Sequence, residues 1–169
     1  MIEAKQDLIN KLLLFTDGSV DPQLKIGYGA YLAVKENELS TDSAGARVKV
    51  KKFEDTSSAR LELQTLIWAL ADLKAAGSKV VIYTDSQNII ELPQRRYRLE
   101  QNDYRSAKNK LLNNHELYRE FYERMDQLEY ELIKVKGHLP LGQKDDIDRL
   151  FMHVDRASRK ALKEGNKHG

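Results

Sequence analysis

The sequence predicts a mixed α/β fold in which one five-stranded β-sheet is flanked by α-helices. The first observation is the order of elements, in which three short strands precede alternating helices and strands. The second is the apolar run Lys-Val-Val-Ile-Tyr-Thr at residues 79–84, which is typical of a strand buried on both faces. Together they favour a sheet that combines antiparallel and parallel strands, within a single domain over residues 1–169.

The first three strands are predicted to form an antiparallel meander. The run Leu-Leu-Leu-Phe at residues 12–15 is predicted as a buried strand that opens into a turn at Asp17-Gly18. Residues 26–34 form the second strand, where Gly27 and Gly29 indicate close backbone approach. Residues 47–53 alternate apolar and basic side chains and form the third.

The remaining segments alternate between helix and strand. Ser57 or Ser58 caps a long amphipathic helix that Gly77 ends. After the strand at 79–84, a short helix is expected to stop at Leu92, before Pro93. A helix at 115–128, a strand at 130–135, a loop at 137–146 and an amphipathic helix at 148–163 complete the chain.

Composition narrows the classes of protein further. The 169 residues include no Cys, which excludes disulfides, thiolate metal sites and cysteine nucleophiles. No apolar stretch approaches the roughly 18–20 residues that cross a bilayer, and residues 1–5 do not resemble the start of a signal peptide. We therefore expect a cytoplasmic protein without membrane contact.

Three acidic residues lie where strand and helix ends converge. Asp17 closes the first strand, Glu62 lies in the first turn of the long helix, and Asp85 closes the strand at 79–84. If those two strands are parallel neighbours, Asp17 and Asp85 end at the same sheet edge. Each acid alone has an ordinary structural role in a turn, at a helix dipole or at an N-cap. Together they are typical of a Mg²⁺ site for phosphoryl transfer.

The ordered motifs of the chain resemble those of one family. They are Phe-Thr-Asp-Gly-Ser at 15–19, Ile-Gly-Tyr-Gly-Ala at 26–30, Arg-Leu-Glu-Leu at 60–63, Tyr-Thr-Asp-Ser-Gln at 83–87 and Val-Lys-Gly-His at 135–138. The set closely resembles ribonuclease HI from about residue 11 to about residue 163. The resemblance implies a two-metal-ion endonuclease that cuts the RNA strand of RNA–DNA hybrids with Mg²⁺ or Mn²⁺. The products would carry 3′-hydroxyl and 5′-phosphate ends, and Asp17, Glu62 and Asp85 match the first three metal-binding carboxylates.

The fourth carboxylate of the family has two candidates in this sequence. Asp148 keeps the more usual distance from His138, whereas Asp155 begins the segment Asp-Arg-Ala-Ser-Arg that looks like the family's last helix. The two lie about 10.5 Å apart along one helix face, so only one can be a direct ligand. We favour Asp155, and Asp148 would then complement the helix dipole.

The resemblance also assigns a role to His138, which lies in a Gly-His-Leu-Pro loop. In the family the matching histidine assists proton transfer to the leaving group or product release. An imidazole with an ordinary pKa near 6.5 suits that role.

Substrate contacts are expected first in a basic protrusion at about residues 94–114. It contains six basic residues, with Tyr97 and Tyr104 between them for stacking. Of these we select Arg95, Arg96, Lys108 and Lys110 as nucleic-acid contacts. By the resemblance, further contacts come from Gly18, Ser19, Ser57, Ser58 and Gln87.

One departure from the family leaves alternatives open. The usual Thr-Asn-Asn type of segment is Thr-Ser-Ser-Ala at 56–59, which keeps a hydroxyl at Ser57 but lacks the paired amides. A nuclease with a different duplex or branched substrate is therefore an alternative, as is a non-catalytic nucleic-acid-binding module. The main expectation is a monomer that acts on RNA–DNA hybrids without an obligate protein partner.

Overall fold

The computed structural model describes residues 11–38, 44–73, 79–136 and 145–168. Their strands form one sheet of five, in the order β3-β2-β1-β4-β5. The strands are β1 Lys11–Asp21, β2 Ile26–Lys35, β3 Lys49–Phe53, β4 Lys79–Thr84 and β5 Glu129–Lys134. The α-helices are α1 Ser58–Asp72, α2 Gln87–Gln101, α3 His115–Asp126 and α4 Asp146–His168.

The sheet is mixed, as the sequence predicts. β1 pairs antiparallel with β2, which pairs antiparallel with β3, so the meander is confirmed. β4 pairs in parallel with both β1 and β5, which gives this apolar strand its central position. Because β1 and β4 run parallel, their carboxyl ends lie at the same edge of the sheet. The connection between them includes α1.

Two apolar cores lie on opposite faces of the sheet. On one face, residues such as Leu14, Val80 and Ile82 pack against helices α1, α2 and α3. On the other face, Leu13, Phe15 and Val81 pack against α4. Alternate residues of one strand therefore belong to different cores, as the period of two requires. Among the described residues, no helix is both long and apolar enough to cross a membrane.

The turn expected at Asp17-Gly18 is wrong, because β1 continues to Asp21. Its pairing with β2 runs without a break through Asp17↔Ala30 and on to Asp21↔Ile26. The turn follows instead at residues 22–25, where an Asp21 carboxylate oxygen accepts the N–H groups of Gln23 and Leu24. The Asp-Gly pair lacks the turn because uninterrupted pairing with β2 outweighs a local preference.

The helix predicted to stop before Pro93 instead runs on to Gln101. An interior proline removes one backbone hydrogen bond and costs about 3 kcal/mol. Ile89, Leu92 and Leu99 are buried along this helix on both sides of the proline. Tyr122 of α3 donates its hydroxyl to the Leu92 carbonyl at 2.6 Å. Packing against the core therefore carries α2 through the proline.

Other boundaries differ by smaller amounts. β3 begins at Lys49, because residues Ala44–Arg47 form a 3₁₀ turn. The last helix is longer than expected at both ends and covers Asp146–His168. Gly77, which was expected to end α1, lies outside the described residues, and α1 ends at Asp72.

The close backbone approach expected at the β2 glycines is confirmed. A Cβ on Gly27 would lie 2.7 Å from the Leu61 side chain. A Cβ on Gly29 would overlap the Thr65 hydroxyl and lie 2.9 Å from its methyl group. Leu61 and Thr65 are one turn apart on α1, so the two glycines let this helix lie directly on the sheet.

We predict that Gly29→Ala lowers the free energy of unfolding by about 1–3 kcal/mol, because the new methyl group overlaps Thr65. Urea unfolding monitored by circular dichroism measures the loss. Adding Thr65→Ala removes both overlapping atoms and should restore part of the stability in the double variant. A full, unrestored loss would place the cause elsewhere than in the contact with α1.

Candidate active site

The positions of Asp17 and Asp85 follow from strand register. Parallel pairing of β1 with β4 ends at Phe15↔Tyr83, and each aspartate lies two residues beyond that pair. Since side chains alternate along a strand, Asp17 points to the same face as Leu13 and Phe15, toward α4. The two carboxylates thus meet at the carboxyl edge of the central strands, and Asp85 is exposed there.

Glu62 reaches this edge from α1. The preceding residue, Leu61, is 2% exposed and packs so closely on β1 that a Cβ at Gly18 would lie 2.8 Å from it. α1 begins at Ser58, so Glu62 lies just past the first turn rather than within it. Asp17, Glu62 and Asp85 line one small cleft.

Asp155 joins the group from the opposite side of the sheet. Leu150, Val154 and Ser158 of α4 are buried against the sheet and orient the helix. The Asp155 carboxyl group shares a hydrogen bond with Asp17. Its other neighbour is Arg159, whose Nε lies 3.0 Å from Asp155 Oδ1.

The electrostatics of the site are those of carboxyl groups held close together. Burial first, then the negative charge of Asp85 and the hydrogen bond with Asp155, together raise the pKa of Asp17 to about 8. The pKa of Glu62 is also raised, first by burial and then by Asp85, against a hydrogen bond from Ser86 that lowers it. In the absence of a cation, Asp17 therefore holds a proton near neutral pH.

The donor set suits a hard divalent cation. All four groups offer carboxylate oxygens, which are the ligands that Mg²⁺ and Mn²⁺ prefer. Within the described ranges, no three His, Cys, Asp or Glu side chains are arranged so that they could hold a metal ion as they stand. A cation between these carboxylates would offset both causes that raise the pKa of Asp17, its burial and the negative charge of its neighbours.

Asp148 lies elsewhere on α4 and has a structural role there. Its carboxylate accepts the N–H of Asp145 at 3.2 Å, and its own N–H donates to Asp145 Oδ1 at 2.9 Å. This reciprocal pair is a capping box that satisfies the free N–H groups of the first turn. His138 lies outside the described residues.

Three of the residues expected to contact nucleic acid around the cleft, Ser19, Ser57 and Gln87, have side-chain partners within the fold. Ser57 caps α1 by accepting the Arg60 N–H at 3.3 Å, next to the exposed Ser58. The Ser19 hydroxyl lies 3.1 Å from that of Ser158 on α4. The Gln87 amide accepts from Lys134 at 2.6 Å and donates to Glu91 at 3.0 Å. A Cβ at Gly18 would overlap the Leu61 side chain. Among the described strands, Gly18 pairs with Gly29 of β2, whereas the pairing of β1 with β4 ends before Gly18.

Within the basic protrusion, two arginines hold the fold together. Arg96 forms two hydrogen bonds with Asp126 and one of 2.7 Å with Glu100, and these carboxylates raise its pKa. Its guanidinium also lies over the Tyr122 ring. Arg95 donates to Asn88 at 3.0 Å. The Arg96 contacts attach α2 to α3, as does the Arg95 guanidinium, which also lies over the Tyr118 ring, and both arginines are less free to bind a phosphate.

Other cations of the protrusion are better placed for a ligand. Lys108 and Lys110 are exposed on the loop after α2, and no described carboxylate pairs with either. Arg98 and Arg105 line a groove of about 390 Å³ between α2 and this loop. Tyr97 is 75% exposed and free to stack, whereas Tyr104 is 6% exposed, with Arg119 over its ring. The expected stacking role is therefore wrong for Tyr104, because that side chain is buried.

Two side-chain contacts of α1 residues, one to Glu62 and one from Arg60, are not predicted by the sequence. Ser86 caps α2, and its hydroxyl also donates to Glu62 Oε2 at 2.6 Å. Arg60 donates to Glu116 at 2.5 Å and to Asn114 at 3.1 Å. Both contacts join segments distant in sequence, so local motifs carry no signal for them.

A five-stranded mixed sheet with four carboxyl groups at the edge of its central strands defines the class of ribonuclease H-like proteins. The fold of this chain is similar to that of a solved chain described as the foamy viral protease-reverse transcriptase in complex with dsDNA. The TM-score is 0.62 at 13% identity, with 90% of this chain and 96% of that chain covered. The RNase H family model matches residues 9–155, and the chain belongs to that family.

Curated relatives agree with this assignment. A protein named Ribonuclease H from Syntrophomonas wolfei is 27% identical over 92% of this chain and 98% of its own length. One of the same name from Novosphingobium aromaticivorans is 28% identical, over 81% and 91% respectively. Another from Idiomarina loihiensis is 29% identical, over 92% and 94%. The enzyme class of this chain is accordingly ribonuclease H, a class of endoribonuclease.

We predict that the metal-free protein loses stability as the pH rises from about 4 to about 8. Over that range folded Asp17, with a pKa of about 8, keeps a proton that the unfolded chain, with a pKa of 3.8, has lost. The unfolded state binds fewer protons, so stability falls with pH. Asp17→Asn should remove this loss and be more stable than the wild type at pH 8, by on the order of 1–3 kcal/mol.

Urea unfolding in EDTA at pH 5 and pH 8 measures both proteins. Glu54→Gln is the matched control, because it neutralises a carboxylate whose side chain is 77% exposed and should leave the pH profile unchanged. Equal pH profiles for wild type and Asp17→Asn would show that Asp17 is not the group responsible.

Proposed function

We propose that this chain is a divalent-metal-dependent endonuclease that hydrolyses the RNA strand of RNA–DNA hybrids, leaving 3′-hydroxyl and 5′-phosphate ends. The observation that carries the proposal is the meeting of Asp17, Glu62, Asp85 and Asp155 at one sheet edge, in a chain of the RNase H family. A module that only bound nucleic acid would gain nothing from four acids facing phosphates.

The cation would be Mg²⁺, for which Mn²⁺ can substitute. It would be held by Asp17, Glu62, Asp85 and Asp155. When bound as a pair, these ions supply the Lewis acidity that stabilises the attacking and leaving oxygens of phosphoryl transfer. Asp17 must give up its proton for this, which the positive charge of the cation favours. His138 is proposed to hold or deliver the proton that the leaving 3′ oxygen requires.

The support for Asp155 over Asp148 is geometric. Asp155 shares a hydrogen bond with Asp17, whereas Asp148 Oδ2 and the Asp148 N–H both bond Asp145 at the start of α4. We therefore propose Asp155 as the fourth ligand and a structural role for Asp148.

The substrate is proposed to lie across the cleft and along the basic protrusion. Lys108 and Lys110 would supply phosphate contacts, with smaller contributions from Arg95 and Arg96, whose side chains have other partners. RNA is distinguished from DNA by contacts to its 2′-hydroxyls in the wide minor groove of the hybrid. Beside the cleft, the groups proposed for these contacts are Gly18, Ser19, Ser57, Ser58 and Gln87.

All of these groups come from one chain, and we propose that a monomer acts in the cytoplasm as a single domain. One alternative keeps the fold and the carboxylates but changes the substrate to another duplex. The observation that favours it is Ser57-Ser58-Ala59 at the start of α1, where side-chain amides that could read the hybrid are missing.

We expect Mg²⁺-dependent cleavage of only the RNA strand of a labelled RNA–DNA hybrid, with double-stranded RNA and DNA left intact. Asp17→Asn should reduce the rate by on the order of a thousandfold or more, because it removes a carboxylate that would hold the cation whose positive charge stabilises the transition state. A denaturing gel with and without Mg²⁺ measures the rate, and 3′ and 5′ end labels identify the products.

The same assay includes Asp155→Asn and, as its matched control on the same helix, Asp148→Asn. Loss of cleavage only in the Asp155 variant supports the proposed ligand set, and the reverse pattern contradicts it. Binding of the hybrid without any cleavage under Mg²⁺ or Mn²⁺ would favour the non-catalytic module. Cleavage of a different duplex would favour the alternative substrate.

We also predict that Lys108→Gln with Lys110→Gln weakens hybrid binding several-fold and makes it less sensitive to salt. Each phosphate contact that is lost should lower the slope of log affinity against log salt by about 0.7–0.9. Fluorescence anisotropy with a labelled hybrid between 50 and 200 mM KCl measures the slope.

Arg96→Gln is the comparison, because it removes one positive charge from the same protrusion against the two removed in the lysine pair, and the slope changes are compared per charge. We expect it to lower thermal stability through the lost contacts with Asp126 and Glu100, with the smaller change in salt slope. A larger slope change for Arg96→Gln than for the lysine pair would reverse these assignments.

A further inference from the structure

Ser86 is enclosed where β4, α1 and α2 meet, and it is 4% exposed. Its N–H donates to Thr84 Oγ1 at 3.0 Å, and its carbonyl accepts the N–H of Ile90 at 3.2 Å. The hydroxyl oxygen accepts the N–H of Ile89 at 3.2 Å and so caps α2. The hydroxyl hydrogen donates to Glu62 Oε2 at 2.6 Å. Every polar group of this residue is therefore in use.

The direction of the last hydrogen bond is fixed by its surroundings. A serine hydroxyl has a single hydrogen, and the Ile89 N–H already approaches the oxygen as a donor. The only role left for the hydroxyl hydrogen is donation to the acceptor in reach, Oε2 of Glu62. At 4% exposure, bulk water cannot readily replace Ser86 as that donor.

We propose that Ser86 is a positioning residue for the cation site: it fixes Glu62 Oε2 and thereby leaves Oε1 as the oxygen available to a divalent cation. The inference rests on the proposed function, because it takes Glu62 as a ligand. Ser86 also attaches this ligand to the first turn of α2, so the site and the helix that carries the basic protrusion share one anchor.

The expected size of the effect follows from what the hydroxyl does. Without it, Glu62 regains rotamer freedom and both of its oxygens compete for other partners. Residues that orient a ligand without touching the metal typically change metal affinity by about 10–100-fold when they are removed. For a single hydrogen bond to one of four carboxylates, we expect the lower end, about tenfold.

The test is the Mg²⁺ dissociation constant, measured by isothermal titration calorimetry on the full chain. Both Ser86→Ala and Ser86→Gly remove the hydroxyl, but glycine is a good N-cap residue and alanine a poor one, so comparing the two separates the loss of the bond to Glu62 from the loss of the cap. Ser86→Thr retains both functions. Thr65→Val is the matched control, because it deletes another buried hydroxyl near the cleft, one that donates to the Leu61 carbonyl at 2.7 Å.

We expect the dissociation constant to rise about tenfold in Ser86→Ala and Ser86→Gly, and to stay within about twofold of wild type in Ser86→Thr and Thr65→Val. The half-activating Mg²⁺ concentration in the hybrid cleavage assay should shift by the same factor. Wild-type Mg²⁺ affinity in both Ser86→Ala and Ser86→Gly overturns the inference, and so does an equal loss in Thr65→Val.

A second readout separates this inference from the proposed function. In a crystal structure of metal-free Ser86→Gly, Glu62 should leave the rotamer that it has in the wild type, and an unchanged rotamer overturns the positioning role. A wild type that neither binds Mg²⁺ nor cleaves a hybrid contradicts the proposed function and the metal half of this inference. The crystal structures then decide the remaining half, whether Ser86 holds Glu62.

Discussion

The arrangement of the acidic edge depends on the depth at which Leu61 packs against the sheet. This side chain fills the space above Gly18 of β1 and Gly27 of β2, where a Cβ would come within 2.8 and 2.7 Å of it. One turn later, Thr65 packs on Gly29 in the same way. Because Glu62 follows Leu61 directly, this close packing sets the height of its carboxylate relative to Asp17. A side chain at Gly18 or Gly27 would lift α1 and separate Glu62 from Asp17.

A second constraint opposes the first, because carboxyl groups brought together by packing repel one another. The chain limits the cost with its own groups: Asp17 keeps a proton that it shares with Asp155, Ser86 donates to Glu62, and Arg159 pairs with Asp155. These contacts leave the pKa of Asp17 near 8, because its carboxyl group stays buried and close to Asp85. The fold therefore holds a strained acidic cluster whose charge a cation would balance, as functional sites often do at the expense of stability.

The parts of the fold that sequence predicted well are those with a strong apolar pattern. The run at 79–84 identified the central strand, and parallel pairing with β1 then placed Asp17 and Asp85 at one edge. The errors arose where a local signal met a stronger distant one. Pro93 and Asp17-Gly18 normally end an element, but buried neighbours and strand pairing continue both. Local preference amounts to at most a few kcal/mol and cannot anticipate which packing will outweigh it.

The sequence predicts which chemical groups a region carries, but not which of those groups the fold engages in contacts of its own. Arg96 and Lys108 are both cations of one basic protrusion, yet Arg96 is bound to Asp126 and Glu100 while Lys108 is exposed without such a partner in the described residues. Ser86 shows the same limit, because its capping role is local, whereas its bond to Glu62 joins residues 24 positions apart. A residue's capacity to bind a ligand is what remains after the fold has used its other contacts. That remainder depends on partners brought together only by folding.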